Sequence, residues 1–377
     1  MKIALVFTND WELFGDGSGD YYEVQHNPTL DMLDLLKSFD AKMTFFAEVM
    51  QQLTMKNHEK EKGFESNITK DWEKILQKSI SESHDVQLHI HPQWLEAKLV
   101  NNEWKLNDNK WVLGDLDPQI INKLISDGKD YLESFLKNVD QEYSCNIFRA
   151  GAYYIEPSQN VLPYLVKNSF NTDSSITRGL QVDGKYNYND VPSNVIPWNV
   201  GDLITQAVKD YTGFIEMPIY SNQIIRSELL EKFLPFIGYS LFFGERPSLE
   251  ELRWIKKRDK IKAVRYPVTR RPYKKHSKKN FKWYLSKILS RSHLQLDYDY
   301  IPASIFVELL HKILDDRNNW DLFDKGVILP IIASGHIKDA HTNENLRWIL
   351  EKVEKYRPDI TYMTMSEISK IWHNKKK

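Results

Sequence analysis

Six polar residues stand where apolar, β-rich runs of this chain end. Asp10 and Glu12 follow IALVFT, His89 and His91 close DVQLHIH, Arg149 lies in NIFRAG, and His336 follows ILPIIASG. Two carboxylates, two closely spaced imidazoles, an arginine and a late histidine are the side-chain types of a metal hydrolase. On a strand, residues two apart point to the same side, so Asp10 and Glu12 can enter one site while Trp11 points elsewhere. A hydrolase that activates water on a metal needs one carboxylate on the ion and another as general base. The same spacing turns His89 and His91 to one face. Neutral imidazole is a common ligand for zinc and related divalent ions, and two histidines with one carboxylate leave room for water. Each group also has a bland reading: acids capping the GDGSGD turn, or histidines satisfied by local hydrogen bonds. Their joint occurrence at strand ends is what points to chemistry. His84 reads as a structural loop residue, Asp173 as a turn or cap, and His341 as a helix-start residue.

The elements that must position these groups alternate along the chain. Candidate strands are Ile3–Thr8, Lys42–Glu48, Val86–His91, Asn146–Ala150, Phe170–Ser174, Phe214–Ile219, Val327–Ala333 and Ile360–Thr364. Between them lie amphipathic stretches at helical spacing, opened by Asn27-Pro28, by Asp117-Pro118 and after Thr342. About eight strands alternating with helices imply a parallel barrel or a doubly wound sheet. Right-handed crossovers put all the strand ends on one side, and in an α/β barrel that mouth is where chemistry is done. Residues 49–70 and 96–116 read as loops on the catalytic face. A larger interruption spans 221–300. Within it, Lys256 to Arg291 carries fifteen Lys or Arg against the single acid Asp259. We read it as a basic insertion within one domain spanning 1–377.

Composition narrows the class. Charged residues make up 27% and hydrophobic residues 41%, and 51 basic side chains meet 52 acidic ones, so bulk charge selects no partner. The single cysteine, Cys145, excludes a disulfide scaffold and fits a reducing compartment. The first apolar run is too short for a signal-peptide core, and none approaches the roughly 20 residues that span a bilayer. A cytoplasmic protein without a transmembrane segment is the expectation.

TNDWE, DAKMTFFAE, SHDVQLHIHPQ, NIFRAGAYY and LPIIASGHIK, taken in that order, resemble the motifs of the polysaccharide deacetylases (the NodB-homology, carbohydrate esterase family 4 group). The resemblance covers residues 1–175 and 325–370; no motif matches the stretch between. It implies a distorted (β/α) barrel of seven or eight strands and a divalent metal, zinc being the expected ion. The implied reaction is removal of an N-acetyl or related acyl group from an amino sugar or glycan precursor. It further implies Asp10 as general base, Glu12 as acidic metal ligand, His89 as metal histidine, Arg149 as the group that orients the base, and His336 as general acid. This chain departs from the family in two places. Its acids are spaced D-x-E rather than adjacent, and Gln93 stands where the commoner H-x-x-x-H motif has its second histidine. His91 is therefore the second imidazole ligand by strand geometry, with Gln93 or water as the fallback. The backbone from Ala150 to Tyr153 is a candidate source of N–H donors to an oxyanion.

Two other classes stay open: a glycan-binding protein of the same fold with little turnover, and a nucleic-acid binder working through the basic insertion. The run at 256–291, with Tyr266, Tyr273, Phe281, Trp283 and Tyr284 interleaved, is a solvated face, a polyanion contact or an attachment to an anionic membrane surface.

Overall fold

The strand β1, Ile3–Trp11, is buried along its whole length, and its alternation sets the plan of the molecule. Ile3, Leu5 and Phe7 join the large core between the sheet and its helices. Ala4 and Val6 instead belong to a smaller core with Phe46, Ile147, Ile215, Met217, Ile219 and Ile332, enclosed by the curl of the sheet. Continuing the same row, Thr8 and Asp10 follow Ala4 and Val6 upward. One inner face thus passes from apolar to polar along its length. Met365, Ile368 and Trp372, from the helix Met365–Lys376, complete the apolar end of that interior.

This computed structural model describes residues 3–101, 103–182, 185–225, 247–265, 291–316, 319, 322, 324–338, 342–356 and 358–376. Residues 266–290, most of the basic run, and His341 lie outside the described residues.

All eight expected strands form. β1 pairs in parallel with Leu329–Ala333 along one edge. Along the other it pairs with Ile360–Tyr362 at its start and with β2, Met43–Glu48, at its end. β2 pairs with β3, Asp85–Ile90, and the sheet continues through Ile147–Ala150, Thr172–Asp173 and Ile215–Glu216, all in parallel. Two further antiparallel strands, Trp198–Val200 and Ala207–Val208, extend that end. The sheet is a mixed, curled half-barrel of ten strands. Its edges approach through Ile219, which bridges singly to Thr177 and to Ile332.

Residues 49–62, expected as loop, form the helix α2, Val49–Lys62. Glu48 caps it by accepting from the backbone N–H of Met50 (2.7 Å) and Gln51 (3.3 Å), and Gly63 ends it at φ +70°. Its exposed face is charged, which made the segment look like a loop. The helix Pro118–Leu136 starts as expected, with Asp117 Oδ1 accepting from Gln119 N at 2.8 Å. The interruption contributes the antiparallel pair Ser221–Ile225 and Arg291–Gln295 and the helix Leu249–Arg265. Among the described residues no helix is long and apolar enough to cross a membrane.

Candidate active site

The inner row of β1 ends in Asp10 and Glu12, buried to 2% and 5% exposure, while Trp11 turns outward and donates its indole N–H to Thr29 Oγ1 at 2.8 Å. β3 brings His89 and His91 to the same face, and the register sets His89 beside Glu48 of β2 and beside Arg149. All six expected groups therefore meet at one end of the curl.

Asp10 sits in the firmer of two adjoining networks. Arg149, fully buried, donates from Nη1 to Asp10 Oδ1 at 2.7 Å and to Thr8 Oγ1 at 2.9 Å. Its remaining nitrogens donate to Ser174, Nε to the carbonyl at 2.8 Å and Nη2 to Oγ at 3.2 Å, and the guanidinium lies 4.0 Å from the centre of the Phe46 ring. Burial pushes the Asp10 carboxyl up, but Arg149, His89 and His336 together outweigh it and hold the group below its ordinary value. Asp10 is an ionised carboxylate with a fixed orientation.

Glu12 heads the second network. Its Oε2 lies 2.7 Å from His91 Nε2 and 3.9 Å from His89 Nε2, and its Oε1 accepts from Lys338 Nζ. Burial again acts upward, and His91 and Lys338 overcome it, leaving Glu12 well below the usual carboxylate range. Glu48, which the motif reading passed over, completes the group. Candidate ligand atoms of Glu12, Glu48, His89 and His91 all lie within 4.8 Å of one another, and all four residues are buried. Glu48 Oε2 accepts from His91 N at 2.5 Å, and burial raises its carboxyl to about 8. The signal for it was available: Glu48 ends the TFFAE strand, much as Glu12 follows the end of β1.

These residues fit a divalent cation. His89 Nδ1 is occupied by the carbonyl of Arg149 at 2.9 Å, which turns Nε2 into the cluster, where it has no hydrogen-bond partner. Burial lowers the His89 ring to about 4, so it is neutral and able to donate a lone pair. His91 Nε2 approaches Glu12 closely without hydrogen-bond alignment. Burial lowers the His91 ring, but the contact with Glu12 outweighs it and raises the ring above its ordinary value. Gln93 does not enter the cluster. Its amide sits 3.0 Å from His91 Nδ1, on the far side of that ring, because the chain turns at Pro92 into a short 3₁₀ helix.

His336 faces both networks. Its Nε2 is 3.7 Å from Asp10 Oδ2, and its Nδ1 is 3.8 Å from Asp299 Oδ2, which also accepts the His336 backbone N–H. Burial and Lys338 lower the ring; Asp299 beside it, with the charges of Asp10 and Glu12, carries it to about 9. Asp299 comes from the segment that no motif matched. Neighbouring Tyr298 is fully buried and accepts from Asn9 Nδ2 at 2.9 Å, and Asp297 bridges Ser334. The end of the interruption is part of the site wall.

Beyond Arg149 the backbone passes through the left-handed region at Ala152 (φ +54°) and Tyr153 (φ +59°). Tyr186 and Tyr188 donate their hydroxyls to the carbonyls of these two residues, at 3.4 and 3.0 Å. Of the N–H groups expected to serve an oxyanion, that of Ala150 is committed to Ser175 Oγ at 2.9 Å. Asp173 and His84 have structural partners. Asp173 accepts from Ser175 N and Oγ, each at 2.9 Å, and His84 Nδ1 accepts from Met43 N at 3.2 Å.

No family model matches this chain, and no curated protein does. Solved structures similar to it include a Mycobacterium smegmatis protein assigned as a polysaccharide deacetylase, 13% identical over 100% of this chain and 91% of that one, with a TM-score of 0.47. Others are a GH57-type branching enzyme from Pyrococcus horikoshii (13%, 98% and 70%, TM-score 0.46) and a family 4 carbohydrate esterase from Streptomyces lividans (11%, 46% and 61%, TM-score 0.25). Likenesses this distant assign no activity to this chain.

Proposed function

We propose that this protein is a metal-dependent amide hydrolase that removes an N-acetyl or related acyl group from an amino sugar or glycan precursor. The whole chain would form one distorted barrel domain with 221–300 inserted. The observation that carries the reading is the pairing of two carboxylates with different duties two residues apart: Asp10 held by Arg149, and Glu12 facing two imidazoles. The choice of an acylated amino sugar rests on the motif resemblance. Glu12, His89 and His91 would hold the metal, with Glu48 beside them, and this nitrogen and oxygen donor set suits zinc. When bound, the metal would polarise the acyl carbonyl and acidify water.

The chain's own groups supply the proton movements. Asp10, kept ionised by Arg149, takes the proton of the attacking water. His336 retains its proton near neutral pH and delivers it from Nε2 to the departing nitrogen, without which an amine anion would have to leave. The arginine side chain, bonded on every nitrogen, keeps the base from rotating. Asp10→Asn is expected to abolish acetate release from an N-acetylated amino sugar while bound metal, measured by elemental analysis, stays unchanged. Turnover by that variant would remove Asp10 from the mechanism. A second reading, glycan binding without cleavage, is favoured by Gln93 at the usual ligand position. Stoichiometric metal and sugar binding with no acetate released would select it.

A further inference from the structure

Lys338 has no role in the motif reading, yet its ammonium group reaches the centre of the site. It stands two residues past His336, in the turn that follows Leu329–Ala333, and its side chain is 13% exposed. Its Nζ bonds Glu12 Oε1, the oxygen of that carboxylate that does not face His91. A carboxylate buried this deeply needs a cation, since removing it from water carries a penalty that a charged partner offsets. Among the described residues Lys338 is the only Lys or Arg bonded to Glu12, and two further carboxyl groups, Asp10 and Glu48, lie close by.

We infer that Lys338 is a built-in counter-cation of the donor cluster, competing with a divalent metal for Glu12. The inference rests on the reading of Glu12, His89 and His91 as metal donors. Two effects act in the same direction. An ammonium drawing on Oε1 makes Glu12 a poorer electron-pair donor through Oε2. A positive charge bonded to a ligand also repels a dication at short range, in a place with little water to screen it. Lysine suits this duty. Its charge sits at the end of a flexible four-carbon stem, and the partly exposed side chain has a way out towards solvent. The residue would keep the empty cluster neutral enough to stay folded and would give up its hold, wholly or in part, when the metal enters.

The test is zinc affinity of metal-depleted full-length protein, measured by competition with a chromophoric chelator at neutral pH, for wild type, Lys338→Met and Lys338→Arg. Thermal melting of each is recorded with and without zinc. Lys338→Met keeps the stem and removes the charge, so it is expected to bind zinc on the order of tenfold more tightly than wild type. Its metal-free form should melt lower than wild type, and zinc should erase that difference. Lys338→Arg, which keeps the charge, should remain close to wild type. Lys338→Gln replaces the methionine variant should that one fail to fold. Unchanged or weaker zinc binding in the uncharged variant would overturn the inference while leaving the metal reading intact. Absence of zinc binding in wild type and variants alike would overturn both.

Discussion

One oxygen of Asp299 accepts the backbone N–H of His336 and lies 3.8 Å from the Nδ1 of the same ring, while the ring's Nε2 looks at Asp10 from 3.7 Å. The imidazole is strung between two buried carboxylates, one that fixes it and one that it can serve.

Asp299→Asn keeps an acceptor for the backbone and removes the charge, so the His336 ring should titrate below its present value of about 9. NMR titration of the ring would show it. The sign follows from the raised value: the protonated ring contributes stability fully below the unfolded pKa, about 6.5, and loses it as pH rises through about 9. If His336 is the acid, the basic limb of the activity profile moves to lower pH in the variant. An unmoved titration would remove Asp299 from this role.

Arg149→Met strands Asp10, almost fully buried, without its cation. We expect a loss of about 3–5 kcal/mol in urea unfolding at neutral pH. Adding Asp10→Asn should return part of that loss, because the uncompensated charge is then gone. Equal losses in the single and double variants would show that the cost lies in Arg149 packing on Phe46 rather than in the ion pair.

Gly151 is required by closeness, not by backbone angle. A Cβ there would stand 2.7 Å from the Ile90 carbonyl and 2.8 Å from Cγ and Nδ1 of His91. Gly151→Ala should cost about 1–3 kcal/mol of stability through overpacking. By pushing the His91 ring, it should also weaken zinc binding by on the order of tenfold. Calorimetric titration with zinc checks the second effect. Retained affinity would mean that His91 is not a ligand.

His84 lies at the other end of β3 and is pushed down to about 4 by burial, with Nδ1 already accepting from Met43 N. Between about pH 6.5 and 4 the unfolded chain binds this proton and the folded one does not. Its contribution is therefore intact above about pH 6.5 and falls away on acidification, by about 3 kcal/mol in all. His84→Gln should flatten that part of the stability profile in urea titrations. An unchanged slope would assign the acid sensitivity to other groups.

The eight strands were legible because each is an apolar, β-rich run between polar breaks, and every one of those runs forms a strand. Asp10, Glu12, His89 and His91 were legible for a related reason: a strand's two-residue period is a local property, so side chains of one run can be assigned to one face without knowing the fold. The helix α2 has the sequence of a loop because its exposed face is charged and its cap, Glu48, looks from sequence like the last residue of a strand, which it also is.

Lys338 and Asp299 could not be found that way. Each reaches the site from a different part of the chain, and no spacing relates Asp299 to His336 or Lys338 to Glu12. From the sequence alone came the inner row of each strand and hence the kinds of group that gather at its end. Only the tertiary structure decided which groups pair: Arg149 with Asp10, Lys338 with Glu12, Asp299 with His336. The reason is physical. Facing within a strand follows from local backbone geometry, whereas pairing between strands depends on register, curl and burial, which exist only once the whole sheet has formed.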